Sequence, residues 1–415
     1  MTLIFKSVLY LGLILTTFIV SAQPVKQDGG SAQEEILFRE QGQPVVLTCA
    51  RADDPHQGGI RTWLRNGTPL EDGKMTPEIK FLDDKSLLVL QPSPAVEGVY
   101  QCFTETHKGI ATSPKFSVKQ TYLKAPETTP SVNIKPAKGL PFSLDCDVPK
   151  GYPKPEVQWF LQHGKDHTLI EAIINKRITQ APNGALYFSN ATAEDVNQGD
   201  FRYVCMARND AVDLPVVVLE AVITGLSSEG GNEGRLVEQY VSKDVRAVAG
   251  ETTALFCIFG GTPLAHPDWT KDGKNVNGAP GDRVTRHNRS SGRRLIIKNT
   301  TLEDAGTYQC AVDNGVGTEL RSIKVTVEAK PSIKTANEVA AKLGEDVKIC
   351  EVNGVPTPKL TITHNAKPLV ASNNVVITND GVVVNNIQPT DQGYYGCEAV
   401  NELGSEFGET YLSIA

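Results

Sequence analysis

The eight cysteines constrain this chain more than anything else in it. They fall as Cys49/Cys102, Cys146/Cys205, Cys257/Cys310 and Cys350/Cys397, separated by 53, 59, 53 and 47 residues. None has the short CxxC spacing of a zinc or redox site, so the four wide pairs read as one disulfide inside each of four similar units. Each bridge would close a loop of about 50 residues, worth on the order of 4 kcal/mol in the chain-entropy model. The same marks recur around every pair. Trp63, Trp159 and Trp269 follow the first cysteine by 14, 13 and 12 residues, and Ile362 takes that place in the fourth unit. A tyrosine stands two residues before each second cysteine: Tyr100, Tyr203, Tyr308 and Tyr395.

A repeated Cys…Trp…Tyr-x-Cys is the pattern of an immunoglobulin sandwich. Two antiparallel sheets pack about 10 Å apart, the bridge ties one to the other, and the tryptophan fills the space against it. Asn66-Gly67 and Asp272-Gly273 follow the tryptophan strands. Such dipeptides accept positive φ and favour tight hairpins. Ser86–Leu90 and Arg294–Lys298 alternate like strands with one buried face. No long stretch keeps a helical period, so the expected fold class is all-β, four tandem immunoglobulin-like sandwiches. The expected domains are 23–120, 121–224, 235–329 and 330–415, with a flexible linker at 225–234.

The ends read as those of an exported chain. Lys6 precedes an apolar run from Val8 to Val20, and Val20-Ser21-Ala22 offers a cleavage site, so residues 1–22 are expected to be a signal peptide. That run is shorter than the roughly 20 residues a membrane span needs. The last residues, Phe407 to Ala415, alternate like a final strand, with no lipid-anchor tail. The expectation is a secreted protein without a membrane span. A formal charge of −7 suits solubility and excludes the net basic face of a nucleic-acid binder.

Asp304-Ala-Gly-Thr-Tyr-Gln-Cys310 and Asp391-Gln-Gly-Tyr-Tyr-Gly-Cys397 match the D-x-G-x-Y-x-C motif in full. Cys310-Ala-Val-Asp-Asn-Gly-Val-Gly317 and Cys397-Glu-Ala-Val-Asn-Glu-Leu-Gly404 look like the C-x-x-x-N-x-x-G hairpin of I-set domains. Departures occur at Val96 in domain 1, at Gly199 and Phe201 in domain 2, and at Ile362 in domain 4. Irregular corners or looser cores are expected there. Four I-set-like domains behind an export signal resemble the hemolin family of insect haemolymph proteins, over the whole chain. The stretches Glu35-Ile-Leu-Phe-Arg-Glu40, Gly98–Thr106 and Thr121-Tyr-Leu123 share in the likeness. The resemblance implies innate-immune recognition: binding of bacterial lipopolysaccharide and lipoteichoic acid, association with blood cells, and modulated adhesion. It also implies the horseshoe of neural adhesion molecules, with domain 2 against 3 and domain 1 against 4. The linker Gly225–Gly234 is compatible with that reversal, spanning roughly 17 Å as a coil and about 33 Å extended. A plain tether between two rigid pairs is the alternative.

Catalysis finds no support: there is no Gly-x-Ser-x-Gly elbow, His-Glu-x-x-His helix or phosphate-cradling loop, and no cofactor or metal is expected. The sharpest binding candidate is a cation run of Arg283, Arg286, Arg289, Arg293, Arg294 and Lys298, with Asp282 beside it. From Arg235 to Ala329 there are 13 basic against 11 acidic residues; from Lys330 to Ala415 there are 6 against 10. Guanidinium groups meet lipid phosphates with paired, charge-assisted hydrogen bonds. Alternate strand residues point to opposite faces, so a solvated pair of strands is the competing reading. Sequons at Asn66, Asn190, Asn288 and Asn299 are candidate N-glycosylation sites. Homophilic self-association, or host-cell adhesion with no microbial ligand, is the second functional reading. It rests on the resemblance, and no Arg-Gly-Asp tripeptide or strong calcium motif accompanies it.

Overall fold

The computed structural model describes residues 30–32, 34–38, 44–49, 60–71, 75–90, 93–163, 169–170, 173–197, 199–228 and 234–415. The expected signal peptide and much of the linker lie outside them. The regular elements among the described residues are strands, apart from short 3-10 turns. The cysteines are bonded as Cys49–Cys102, Cys146–Cys205, Cys257–Cys310 and Cys350–Cys397.

In domain 1, β1 (Gly30–Ala32) and β2 (Glu34–Phe38) precede β3 (Ile60–Arg65), β4 (Gly98–Thr106), β5 (Gly109–Thr112) and β6 (Phe116–Gln120). β2 runs parallel to β6, which pairs with β4; β4 in turn pairs with β3 and β5. Domain 2 holds β7 (Glu156–His163), β8 (Ile178–Gln180), β9 (Leu186–Phe188) and β10 (Phe201–Arg208). Domain 3 holds β11 (Val237–Val241), β12 (Thr253–Gly260), β13 (His266–Lys271), β14 (Arg294–Ile297) and β15 (Gly306–Asp313). β16 (Thr318–Lys334) pairs with β15 and then continues into domain 4 to pair with β17 (Val347–Val355). One unbroken strand thus crosses the 3–4 junction and stiffens it. Domain 4 is completed by β18 (Lys359–His364), β19 (Gly393–Asn401) and β20 (Gly404–Ile414).

The repeated sequence marks do the same work in each core. Trp63, Trp159 and Trp269 are buried, and each indole N–H donates to a carbonyl, of Lys85, Gly184 and Gly292 at 2.9, 2.8 and 2.7 Å. A buried indole without such an acceptor would lose a hydrogen bond outright. Ile362 needs no acceptor and is packed at 2% exposure, so domain 4 is not looser for lacking the tryptophan. The tyrosine hydroxyls donate to the carbonyls of Val96, Asp195, Asp304 and Asp391 at 2.6, 3.1, 3.0 and 2.8 Å. Burial pushes the Tyr100 and Tyr308 hydroxyls up to about 12, keeping them neutral donors.

Domain 2 corrects one reading. Its corner aspartate is present, as Asp195, four residues earlier than the motif puts it. Thr192-Ala-Glu-Asp195 repeats Thr301-Leu-Glu-Asp304, and both form capping boxes. Arg177 grips Asp195 at 2.8 and 3.0 Å, as Arg283 grips Asp304 at 2.8 and 2.7 Å. In domain 1 the apolar Val96 is itself buried in the core.

The chain folds back on itself as a horseshoe. Domain 2 meets domain 3 through an apolar seam of Ala181, Ala185, Tyr187, Phe256 and Ile258, with Tyr240 packed against it. Gln239 crosses to the carbonyls of Phe142 and Phe188 at 3.1 and 3.0 Å, and Thr262 to that of Gly139 at 2.8 Å. The backbones approach so closely that a Cβ on Gly260 would sit 2.2 Å from Pro141 Cβ, which leaves room only for glycine. Domain 1 meets domain 4 through polar contacts. The Thr112 amide donates to Glu409 at 2.7 Å, Lys115 pairs with Glu398 at 2.7 Å, and Lys108 lies over the Tyr411 ring at 4.8 Å.

The hairpin asparagines hold the junctions. Asn209, Asn314 and Asn401 each stand four residues after a cysteine. Each Nδ2 donates to the junction preceding its own domain, at the carbonyls of Tyr122, Gly234 and Ala329, at 2.9, 3.0 and 2.9 Å. Each also donates to a proline carbonyl, of Pro153, Pro263 and Pro356, at 2.8, 3.2 and 3.1 Å. Asn401→Ala removes two side-chain hydrogen bonds at the 3–4 junction and is expected to cost domain 4 about 1–3 kcal/mol in calorimetric unfolding. A melt indistinguishable from the parent would show that the junction is held by β16 alone.

Candidate functional site

The cation run of domain 3 separates into three environments. Arg283 and Arg286 are committed: Arg283 is bidentate on Asp304, and Arg286 pairs with Asp268 at 2.7 Å. The hydrogen bonds it donates to Asp304 hold the Arg283 guanidinium above its usual range. These two are therefore corrections to the expected anion site, because their positive charges are already paired with carboxylates. Lys298 is exposed but stands beyond the far end of β14, about 13 Å along the strand from Arg294 at 3.3 Å per residue.

Arg289, Arg293 and Arg294 gather instead at the turn that faces domain 2. Residues 288–290 form a 3-10 turn on which Arg289 is exposed. Arg293 is fully buried. Its Nη1 donates to the carbonyl of Lys176 in domain 2 and to that of Ser290 at 3.1 Å, while its Nε and Nη2 have no partner. Burial, with Arg177 nearby, brings its guanidinium down to about 10. Full burial also corrects the expectation that Arg293 offers an open contact surface. Arg294 is half-buried, with Nη2 3.0 Å from His287 Nε2 and Nε unpartnered. Burial, followed by the charges of Arg294 and Arg289, lowers His287 from its ordinary value. The exposed Lys176 is brought alongside by the Arg293 contact. No carboxylate stands within ion-pairing distance of Lys176, Arg289, Arg293 or Arg294 among the described residues. The result is a basic seam completed by the domain 2 segment Lys176-Arg177, whose Arg177 is itself paired with Asp195 and Glu194. Lys176 carries no sequence signal that links it to residues more than a hundred positions away.

The four sequons lie in different settings. Asn66 is exposed in the tight turn after β3, with its Oδ1 accepting from the Val99 amide at 2.9 Å. Asn288 and Asn299 are exposed. Asn190 is a correction: it is buried at the 2–3 seam, and its Nδ2, the atom a glycan would occupy, donates to Thr262 at 3.3 Å.

The immunoglobulin I-set domain family matches residues 237–327 and 331–414. Hemolin of Lonomia obliqua is 43% identical over 392 residues, covering 92% of this chain and 93% of that protein. The chain belongs to the hemolin family. Hemolin of Hyalophora cecropia is 40% identical over 419 residues, covering 99% of each chain. A crystal structure of the insect immune protein hemolin superposes with a TM-score of 0.83 at 40% identity, over 94% of this chain and 100% of that one. That structure is described as a new domain arrangement with implications for homophilic adhesion. Membership of the hemolin family makes the chain an adhesion-type binding protein and not an enzyme. No helix among the described residues is long and apolar enough to cross a membrane.

Proposed function

We propose that this protein is a secreted haemolymph recognition factor that binds bacterial lipopolysaccharide and lipoteichoic acid together with blood-cell surfaces. The basic seam between domains 2 and 3 carries the reading. Lys176 and Arg289 are exposed donors for phosphate, and the buried Arg293 and half-buried Arg294 raise the local positive potential around them. Cations gathered without carboxylate partners of their own cost stability, and a multiply charged anionic ligand would offset that cost. Family membership and the apolar run from Val8 to Val20 support an extracellular setting. The second reading, adhesion to host cells or to a second copy, draws on the adhesive implication attached to the hemolin crystal structure.

Binding of the mature chain to lipopolysaccharide across a salt series is the test, with Lys176→Glu combined with Arg289→Glu. The double variant is expected to weaken binding by about tenfold or more and to flatten its salt dependence, since exposed charge pairing is screened within about 10 Å at 0.1 M salt. Unchanged affinity in that variant would remove the seam from consideration. No binding by the parent at low salt would leave the adhesion reading in its place.

A further inference from the structure

The N-terminal strand does not belong to the sheet of its own domain. β1 pairs antiparallel with β20 of domain 4, Gly30 opposite Gly408, Ser31 opposite Phe407 and Ala32 opposite Glu406. One residue later β2 begins its parallel pairing with β6 of domain 1. We infer that β1 is a latch: its main-chain pairing with the edge of β20 holds domain 1 on domain 4, and its release opens the mouth of the horseshoe.

Three observations carry this, and none depends on the glycolipid reading. First, the link has no slack. A single residue separates the two strands, and consecutive Cα atoms are only about 3.8 Å apart, so parting the domains must peel one strand away. β2 has five register partners on β6 and β1 has three on β20, which makes β1 the strand that yields. Second, the two interdomain contacts differ in kind. The 2–3 seam is apolar, whereas the 1–4 contact relies on side chains such as Lys115–Glu398, which salt weakens. Third, the edge of β20 is shared. Residues Glu338–Ala341 pair with Tyr411 to Ile414, leaving 406–408 to β1. A sheet edge stripped of its partner is a template for another strand, so the latch also covers a reactive edge.

The experiment uses the full mature chain in three forms: Ser31→Pro, deletion of residues 23–32, and the double variant Ala32→Cys with Glu406→Cys, oxidised. X-ray scattering is recorded from low salt to about 1 M, with circular dichroism as the folding control. Losing a backbone donor in the proline form, and the whole pairing in the deletion form, should raise the open population about tenfold. The cross-linked form should stay closed at every salt concentration. Scattering curves of the proline and deletion forms that match the parent throughout would overturn the latch. So would a disulfide in which the two introduced cysteines join separate chains instead of closing within one.

Discussion

Replacing Ile258 by aspartate will part domain 2 from domain 3 without unfolding either. β12 alternates strictly: Leu255, Cys257 and Phe259 enter the domain 3 core, while Phe256 and Ile258 point the other way, into the seam. Ile258 has no exposure there and is surrounded by Ala181, Ala185, Tyr187 and Phe256. A carboxylate at that position finds an apolar surround, and burying it unpaired costs several kcal/mol. The apolar cluster of the seam has five buried residues among those described, too few to absorb that cost, so the molecule avoids it by separating the sheets. Scattering should show a larger radius of gyration, while the thermal unfolding of domain 3 stays near that of the parent. Unfolding of domain 3 instead would mean that Ile258 serves its core. An unchanged radius would mean that the domain 1–4 contact alone closes the horseshoe.

The second large effect belongs to Asp304. Its carboxylate receives Arg283 through two nitrogens, the Thr301 amide at 2.8 Å and the Thr301 hydroxyl at 3.2 Å. Asp304→Ala leaves all of these unmatched. Breaking a fully buried pair costs roughly 3–5 kcal/mol; because Arg283 is nearly half exposed, about 2–3 kcal/mol is expected here. For a domain of this size that is a fall of roughly 10–20 °C in melting temperature. Asp391, which caps the Gln388 amide and has no arginine partner, should lose only about 1 kcal/mol on truncation. Calorimetry on both variants separates the ion pair from the cap, and equal losses would deny the arginine any share.

The Asp304 pair also fixes a pH dependence. Burial pushes its carboxyl up, but hydrogen bonds from Arg283 and Thr301 outweigh that and hold it below its ordinary value. A carboxylate with a depressed folded-state pKa stabilises above its unfolded pKa, near about 4, and that stability fades as pH falls through the folded value. The gap between parent and Asp304→Ala should therefore be full at neutral pH and close below about pH 4. A gap that persists at about pH 2 would assign the loss to packing.

How legible all this was depends on how local the cause is. Asn66-Gly67 and Asp272-Gly273 sit at positive φ in their turns, as a dipeptide chooses its own backbone. Asp195 was hidden by an insertion but stood in plain sight beside Thr192, in the same Thr-x-Glu-Asp pattern as domain 3. Asn209 shared its offset from cysteine with Asn314 and Asn401. The basic run is the opposite case. Six cations close in sequence diverge in space, because β14 sends neighbours to opposite faces and two arginines find carboxylates on other strands and turns. Arg293 meets its partner carbonyl across 117 residues.

The sequence by itself determined four bridged sandwiches, since a disulfide, its tryptophan and its corner tyrosine satisfy one another within a single domain's length of chain. The bent-back arrangement it only permitted, through a linker long enough to reverse. Tertiary structure alone decided which faces meet, which cations keep a free charge, and where the first strand pairs. Those outcomes depend on surfaces from domains folded separately, whose complementarity leaves no periodicity along the chain to read.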